Sequence, residues 1–132
     1  MKKIPQATKF YEFYNANPKG RITGDCSVRC VATALGITWD EAVDLVCEKA
    51  HKTKVEPFGR KMVEAILKEH GFVAMKIELV NGKRPTMATI IPKYPGRTIV
   101  GRIANHVMCA VDGKVRDVWN SSERSLYKYW VK

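Results

Sequence analysis

The stretch Gly24-Asp25-Cys26-Ser27-Val28-Arg29-Cys30 is a turn that opens directly into an apolar helical pattern. Val28, Val31, Ala32 and Leu35 fall on one face, and Gly36 follows as a stop. The pattern predicts a helix over about 25–35 whose first turn carries a thiol. There the unsatisfied N–H groups and the positive end of the peptide dipole favour thiolate over thiol. Cys26 is therefore a candidate nucleophile. His106 and Asp117, far downstream, are the candidates for its base and for the group that orients the base. A lone Cys at a helix start is usually structural, so the assignment rests on the three residues together.

Outward from this helix, Thr38-Trp39-Asp40-Glu41 is a capping box that starts a second helix running from Trp39 to about Ala50. A third is expected over 57–70, with Met62, Val63, Ile66 and Leu67 inward and Gly71 beyond it. From Phe72 to Leu79 the period shifts toward two and predicts a strand. Residues 86–91 fit a short helix stopped by Pro92 and an extended segment equally well. Extended chain follows over 97–103, 106–111 pairs with 114–119 through the tight turn Asp112-Gly113, and a last strand covers 126–131. Ahead of the cysteine, Phe10, Tyr11, Phe13 and Tyr14 read as an aromatic anchor leading into a loop rich in turn residues. Helices followed by an antiparallel sheet make an α+β domain, with the nucleophile helix packed on the sheet. With the hairpin turn at 112–113, residues 111 and 114 pair, and the same register puts His106 diagonal to Asp117.

At 132 residues and 45% hydrophobic content the chain is expected to form a single domain over 1–132. Its 23 Lys and Arg against 13 Asp and Glu give a formal charge of +10, which favours acidic partners. The basic residues are scattered, with no zinc-finger spacing and no aromatic RNA-binding signature, so a protein or peptide partner is expected ahead of nucleic acid. Met1-Lys2-Lys3 has no apolar run after it, and no stretch approaches the roughly 18 apolar residues of a membrane span. Four cysteines, two at helical spacing in one apolar segment, fit a reduced cytoplasmic protein better than a disulfide scaffold.

Cys26-x3-Cys30 and His106-x2-Cys109 look like two metal-ligand pairs, but 106 and 109 differ by an odd number and point to opposite faces of a strand. No metal and no cofactor are expected. Cys30, Cys47 and Cys109 fall within elements and read as structural, and His51 and His70 read as helix-end caps. Trp119 lies two residues beyond Asp117, on the same face of its strand, where an indole can shield the carboxylate–imidazole bond or simply fill core.

The order Gly24-Asp25-Cys26, Asn105-His106 and Asp117-Val118-Trp119 resembles the papain-like cysteine peptidases, in which a Trp follows two positions after the third catalytic residue. The Asp-Cys pair at the helix start is similar to the bacteriocin-processing peptidase domains, which use Asp as third member. The likeness is greatest to short papain-like proteins of bacteria and their phages. It runs over about 20–131 and includes Thr23-Gly24-Asp25-Cys26, the capping-box helix and Gly96-Arg97-Thr98-Ile99-Val100. Gly24-Asp25-Cys26-Ser27-Val28-Arg29 also resembles the ovarian-tumour-type deubiquitinases.

The resemblance implies a thiol hydrolase that cleaves a peptide or isopeptide bond through Cys26, His106 and Asp117, with Trp119 shielding them. One departure matters: where papain relatives usually place an oxyanion-hole Gln, this chain has Gly20. The Cys26 N–H remains as one donor, and Thr23, Arg21 and Asn17 are candidates for the second. Losing one such donor typically costs about 100- to 1,000-fold in rate. The alternative is a non-catalytic protein-binding module on the same fold, such as a phage-encoded inhibitor of a host factor.

Overall fold

The computed structural model describes residues 4–132, so the basic start Met1-Lys2-Lys3 lies outside the described residues. Helix α1 (Cys26–Leu35) begins at the cysteine itself. It ends at Gly36, whose φ of 66° is the left-handed conformation that glycine adopts without strain, and the Gly36 N–H closes onto Ala32 O. Helix α2 (Trp39–Thr53) starts with the expected reciprocal cap: Thr38 Oγ1 accepts the Glu41 N–H and Glu41 Oε1 accepts the Thr38 N–H, both at 3.1 Å. It runs three residues past Ala50. Helix α3 (Arg60–Glu69) starts later than the sequence predicts, because extended Gly59 is its N-cap and Pro57 and Phe58 lie before it. His70 ends that helix, its Nδ1 2.8 Å from Ile66 O.

Strands β1 (Tyr11–Phe13), β2 (Val73–Met75), β3 (Ile99–Ile103), β4 (His106–Val111), β5 (Lys114–Asp117) and β6 (Lys128–Val131) form one sheet in the order β1-β5-β4-β3-β6-β2. Every neighbouring pair is antiparallel except β1 with β5. The aromatic anchor is thus a strand, and the sheet is mixed at this edge. Its addition fixes the end of β5: Tyr11 Oη and the Tyr14 N–H both donate to Asp117 O at 3.0 Å. The segment 86–91 resolves as helix α4 (Met87–Ile90), capped by Thr86 and continued as a tight turn over Ile91–Lys93.

Helices α1 and α3 cover one face of the sheet. Cys30 of α1 and Val63 and Leu67 of α3 pack with Val100, Cys109 and Trp130. Val28, Val31, Ala42, Val46 and Met62 join α1, α2 and α3 to one another. On the other face Met108, Val115, Ile99 and Tyr129 pack under α4 and Leu126. The chain is an α+β fold whose six-stranded sheet carries α1 and α3 on one face, with α2 packed on them, and the short α4 on the other. Among the described residues no helix is long and apolar enough to cross a membrane.

Candidate active site

Three element ends carry the candidate residues: Cys26 is the first residue of α1, His106 the first of β4 and Asp117 the last of β5. The β4–β5 hairpin pairs Val111 with Lys114 and Ala110 with Val115. That register brings the diagonal pair together, with His106 Nε2 2.5 Å from Asp117 Oδ2 and both side chains under a tenth exposed. With Nε2 engaged, Nδ1 is the ring nitrogen left for the thiol. Asp117 is held from all sides. Its Oδ1 accepts the Val118 N–H at 2.7 Å and lies 3.4 Å from Arg29 Nη1.

The thiol of Cys26 is held below its ordinary pKa, first by a hydrogen-bonding contact with the His106 ring. Burial opposes this, and the Val107 N–H and the positive charges of His106 and Arg29 reinforce it. Burial alone would lower the His106 pKa, but Asp117 and Cys26 outweigh it and raise the imidazole to about 9. The two shifts act in the same direction, each stabilising the charged form of its group, a thiolate on Cys26 and an imidazolium on His106. Cys30 and Cys109 are buried and shifted the other way, Cys30 well up and Cys109 to about 12, chiefly by burial. Cys47 is exposed.

Arg29 is the residue the sequence reading left without a role. It is 7% exposed and joins two carboxylates near Cys26. Its Nη1 approaches Asp117, and its Nε lies 2.9 Å from Asp25 Oδ1, off the N–H axis, so this second contact is an ion pair without a formed hydrogen bond. Asp25 Oδ2 in turn accepts Asn17 Nδ2 and Trp39 Nε1, both at 2.9 Å. The signal in the sequence was a charged i,i+4 pair, Asp25 and Arg29, in an otherwise apolar helical stretch.

Trp119 sits with its ring centroid 5.0 Å from that of His106, tilted by 46°, and the Arg124 guanidinium lies over the Trp119 ring, 5.7 Å from its centroid. Asn17 is buried and its amide is engaged by Asp25, while Arg21 and Thr23 are exposed in the loop before α1. None of these three lines the cavity that exposes the thiol. Cys26 and Ser27 do line it, and Asp25, turned toward Arg29, Asn17 and Trp39, makes no side-chain cap on α1. The first-turn amides are therefore donors that no side-chain cap takes up.

This cavity measures about 660 Å³ and lies between the starts of α1 and α3 and the turn joining β3 to β4. The arrangement brings together a thiol of lowered pKa, an imidazole of raised pKa, a carboxylate bonded to that imidazole and a space of ligand size. The chain matches no family model, no curated protein and no solved structure.

Proposed function

We propose that the chain is a papain-like thiol hydrolase that cleaves a peptide or isopeptide bond. The observation that carries this reading is the continuous line Asp117–His106–Cys26, with its 2.5 Å imidazole–carboxylate bond, ending at a lowered-pKa thiol on the wall of a cavity. The Cys26 thiolate attacks the scissile carbonyl carbon, and the carbonyl oxygen takes the electron pair beside the Cys26 N–H. His106 then gives its proton to the leaving amine as the C–N bond breaks, leaving a thioester on Sγ. A water, deprotonated by His106, adds to the thioester and releases the acid and the thiolate. Asp117 holds the ring in the tautomer and orientation that both steps need, and Trp119 limits water around their bond.

The rival reading, a non-catalytic binding module, draws on one observation: the amide of Asn17 is engaged by Asp25 instead of facing the thiol. New N-termini decide between them. Incubated with a mixture of denatured cytosolic proteins, wild type should generate cleavage products whose N-termini share flanking residues, and Cys26→Ala should generate none. Identical N-terminal maps for the two proteins would end the reading as a hydrolase of main-chain peptide bonds.

A further inference from the structure

The walls of the cavity that exposes Cys26 and His106 are unequal in charge. Arg60, at the start of α3, and Arg102, in β3, both line it, as does one carboxylate, Glu64. Glu64 lies 3.5 Å from Lys128 Nζ, so its charge is answered within the protein. Among the described residues the arginines in ion pairs are Arg29 and Arg116. Arg60 and Arg102 thus present uncompensated guanidinium groups to whatever enters.

Register ties these charges to the reacting atoms. Arg102 pairs with Val107 on β4 and with Lys128 on β6, so the three side chains form a row across one face of the sheet. Val107 directly follows the imidazole in the chain, and its backbone N–H helps to lower the pKa of the thiol. The floor beside this row is apolar, with Val63 and Trp130, and the rim carries Phe58 and Tyr127, 52% and 45% exposed. A polyanion that needs charge along its whole length fits such walls poorly, whereas a peptide with one carboxylate and apolar neighbours matches both parts.

We propose that the cleft selects a peptide whose acyl side carries an acidic side chain next to an apolar one, with Arg60 and Arg102 receiving the carboxylate. The inference rests on the hydrolase reading and adds its substrate class. Guanidinium groups bind carboxylates through paired, charge-assisted hydrogen bonds, and a partly enclosed cleft strengthens them. The formal charge of +10 over the whole chain adds attraction at longer range.

Peptidyl vinyl sulfones test this without requiring turnover. Probes identical except for Glu, Gln or Lys at either of the two positions before the electrophile are reacted with the full chain carrying Cys47→Ser. The mass shift on Cys26 is timed at low ionic strength, and each rate is normalised to that variant's iodoacetamide rate. The Glu probe should react roughly tenfold faster than the Gln probe, the scale of a charged hydrogen bond, with Lys slowest. Arg60→Gln and Arg102→Gln should each reduce the Glu preference, and the double charge reversal to Glu should turn it toward Lys. Equal Glu and Gln rates, with Cys26 still alkylated by iodoacetamide at low pH, overturn the acidic specificity and leave the hydrolase reading standing. Protection of Cys26 by a single-stranded oligonucleotide, with none by an acidic peptide, overturns it in favour of nucleic acid. Loss of low-pH iodoacetamide labelling in the parent protein removes the hydrolase reading and this inference with it.

Discussion

Arg29→Met removes the cation that joins Asp25 and Asp117 near Cys26. Taking one partner from a buried ion pair typically costs roughly 3–5 kcal/mol, because the remaining charge stays in a poorly solvated place. The lower end applies here, since both carboxylates keep other donors: Asn17 and Trp39 at 2.9 Å on Asp25, His106 and the Val118 N–H on Asp117. A loss of about 3 kcal/mol corresponds to a fall in melting temperature of about 10–15 °C for a domain of this size. Arg29→Lys should recover part of it, because an ammonium reaches one carboxylate where the guanidinium spans two. The cost of Arg29→Met should shrink in an Asp117→Asn background, where less charge is left stranded. Thermal unfolding of wild type, the three single variants and the Arg29→Met/Asp117→Asn double variant measures this, and Cys26 alkylation in the same set should shift to higher pH as the Arg29 charge is lost. A Met variant melting within about 2 °C of wild type, with the same alkylation profile, would show that Arg29 only fills space.

Asp117→Asn should keep the ring oriented through its amide oxygen at a stability cost of about 1–2 kcal/mol. Asp117→Ala, which strands both His106 and Arg29, should cost about 3 kcal/mol and suppress thiol reactivity further; equal and negligible effects would remove Asp117 from the site. Trp119→Ala should cost about 3 kcal/mol, the low end for a large aromatic, because the ring is only partly buried. Trp119→Phe should retain the fold but alter the pH profile of thiol labelling, and an unchanged profile would assign the ring to packing alone. His106, raised to about 9 in the folded protein from an ordinary value of about 6.5, contributes stability that is fully present below the unfolded value and lost as pH rises through the folded one. The stability advantage of wild type over His106→Gln, followed by urea unfolding, should therefore be largest near pH 6 and shrink toward about pH 9; an advantage that grows with pH would contradict the assigned charge.

The parts of this molecule that were legible in the sequence are those set by neighbours along the chain. The capping box at Thr38 and the Asp112-Gly113 turn each satisfy their own backbone groups within a few residues, and the turn then dictates the His106–Asp117 diagonal. What local pattern does not carry is the partner of a segment. Tyr11–Phe13 becomes a strand only because β5 offers a free edge from the opposite end of the chain. Conversely, alternation over 72–79 suggests a long strand, but β2 stops at Met75, where its pairing with β6 ends at Tyr129. The first turn expected of the third helix is absent because extended Gly59 is the cap, two residues after Pro57, and the helix begins at Arg60. Arg29 was overlooked because a charge inside a helix reads as a solvated face until burial and a distant carboxylate are known.

The central claim is that His106 holds Cys26 as a thiolate, and the pH dependence of Cys26 alkylation tests it most directly. In protein carrying Cys47→Ser, iodoacetamide modification should be followed by mass from acid to alkaline pH, with and without His106→Ala. Cys26 should react with an inflection well below the ordinary thiol value of about 8.5. His106→Ala should move that inflection upward, because burial then acts on the thiol without the imidazole to offset it. A wild-type inflection at the ordinary value, unmoved by His106→Ala, would contradict the account.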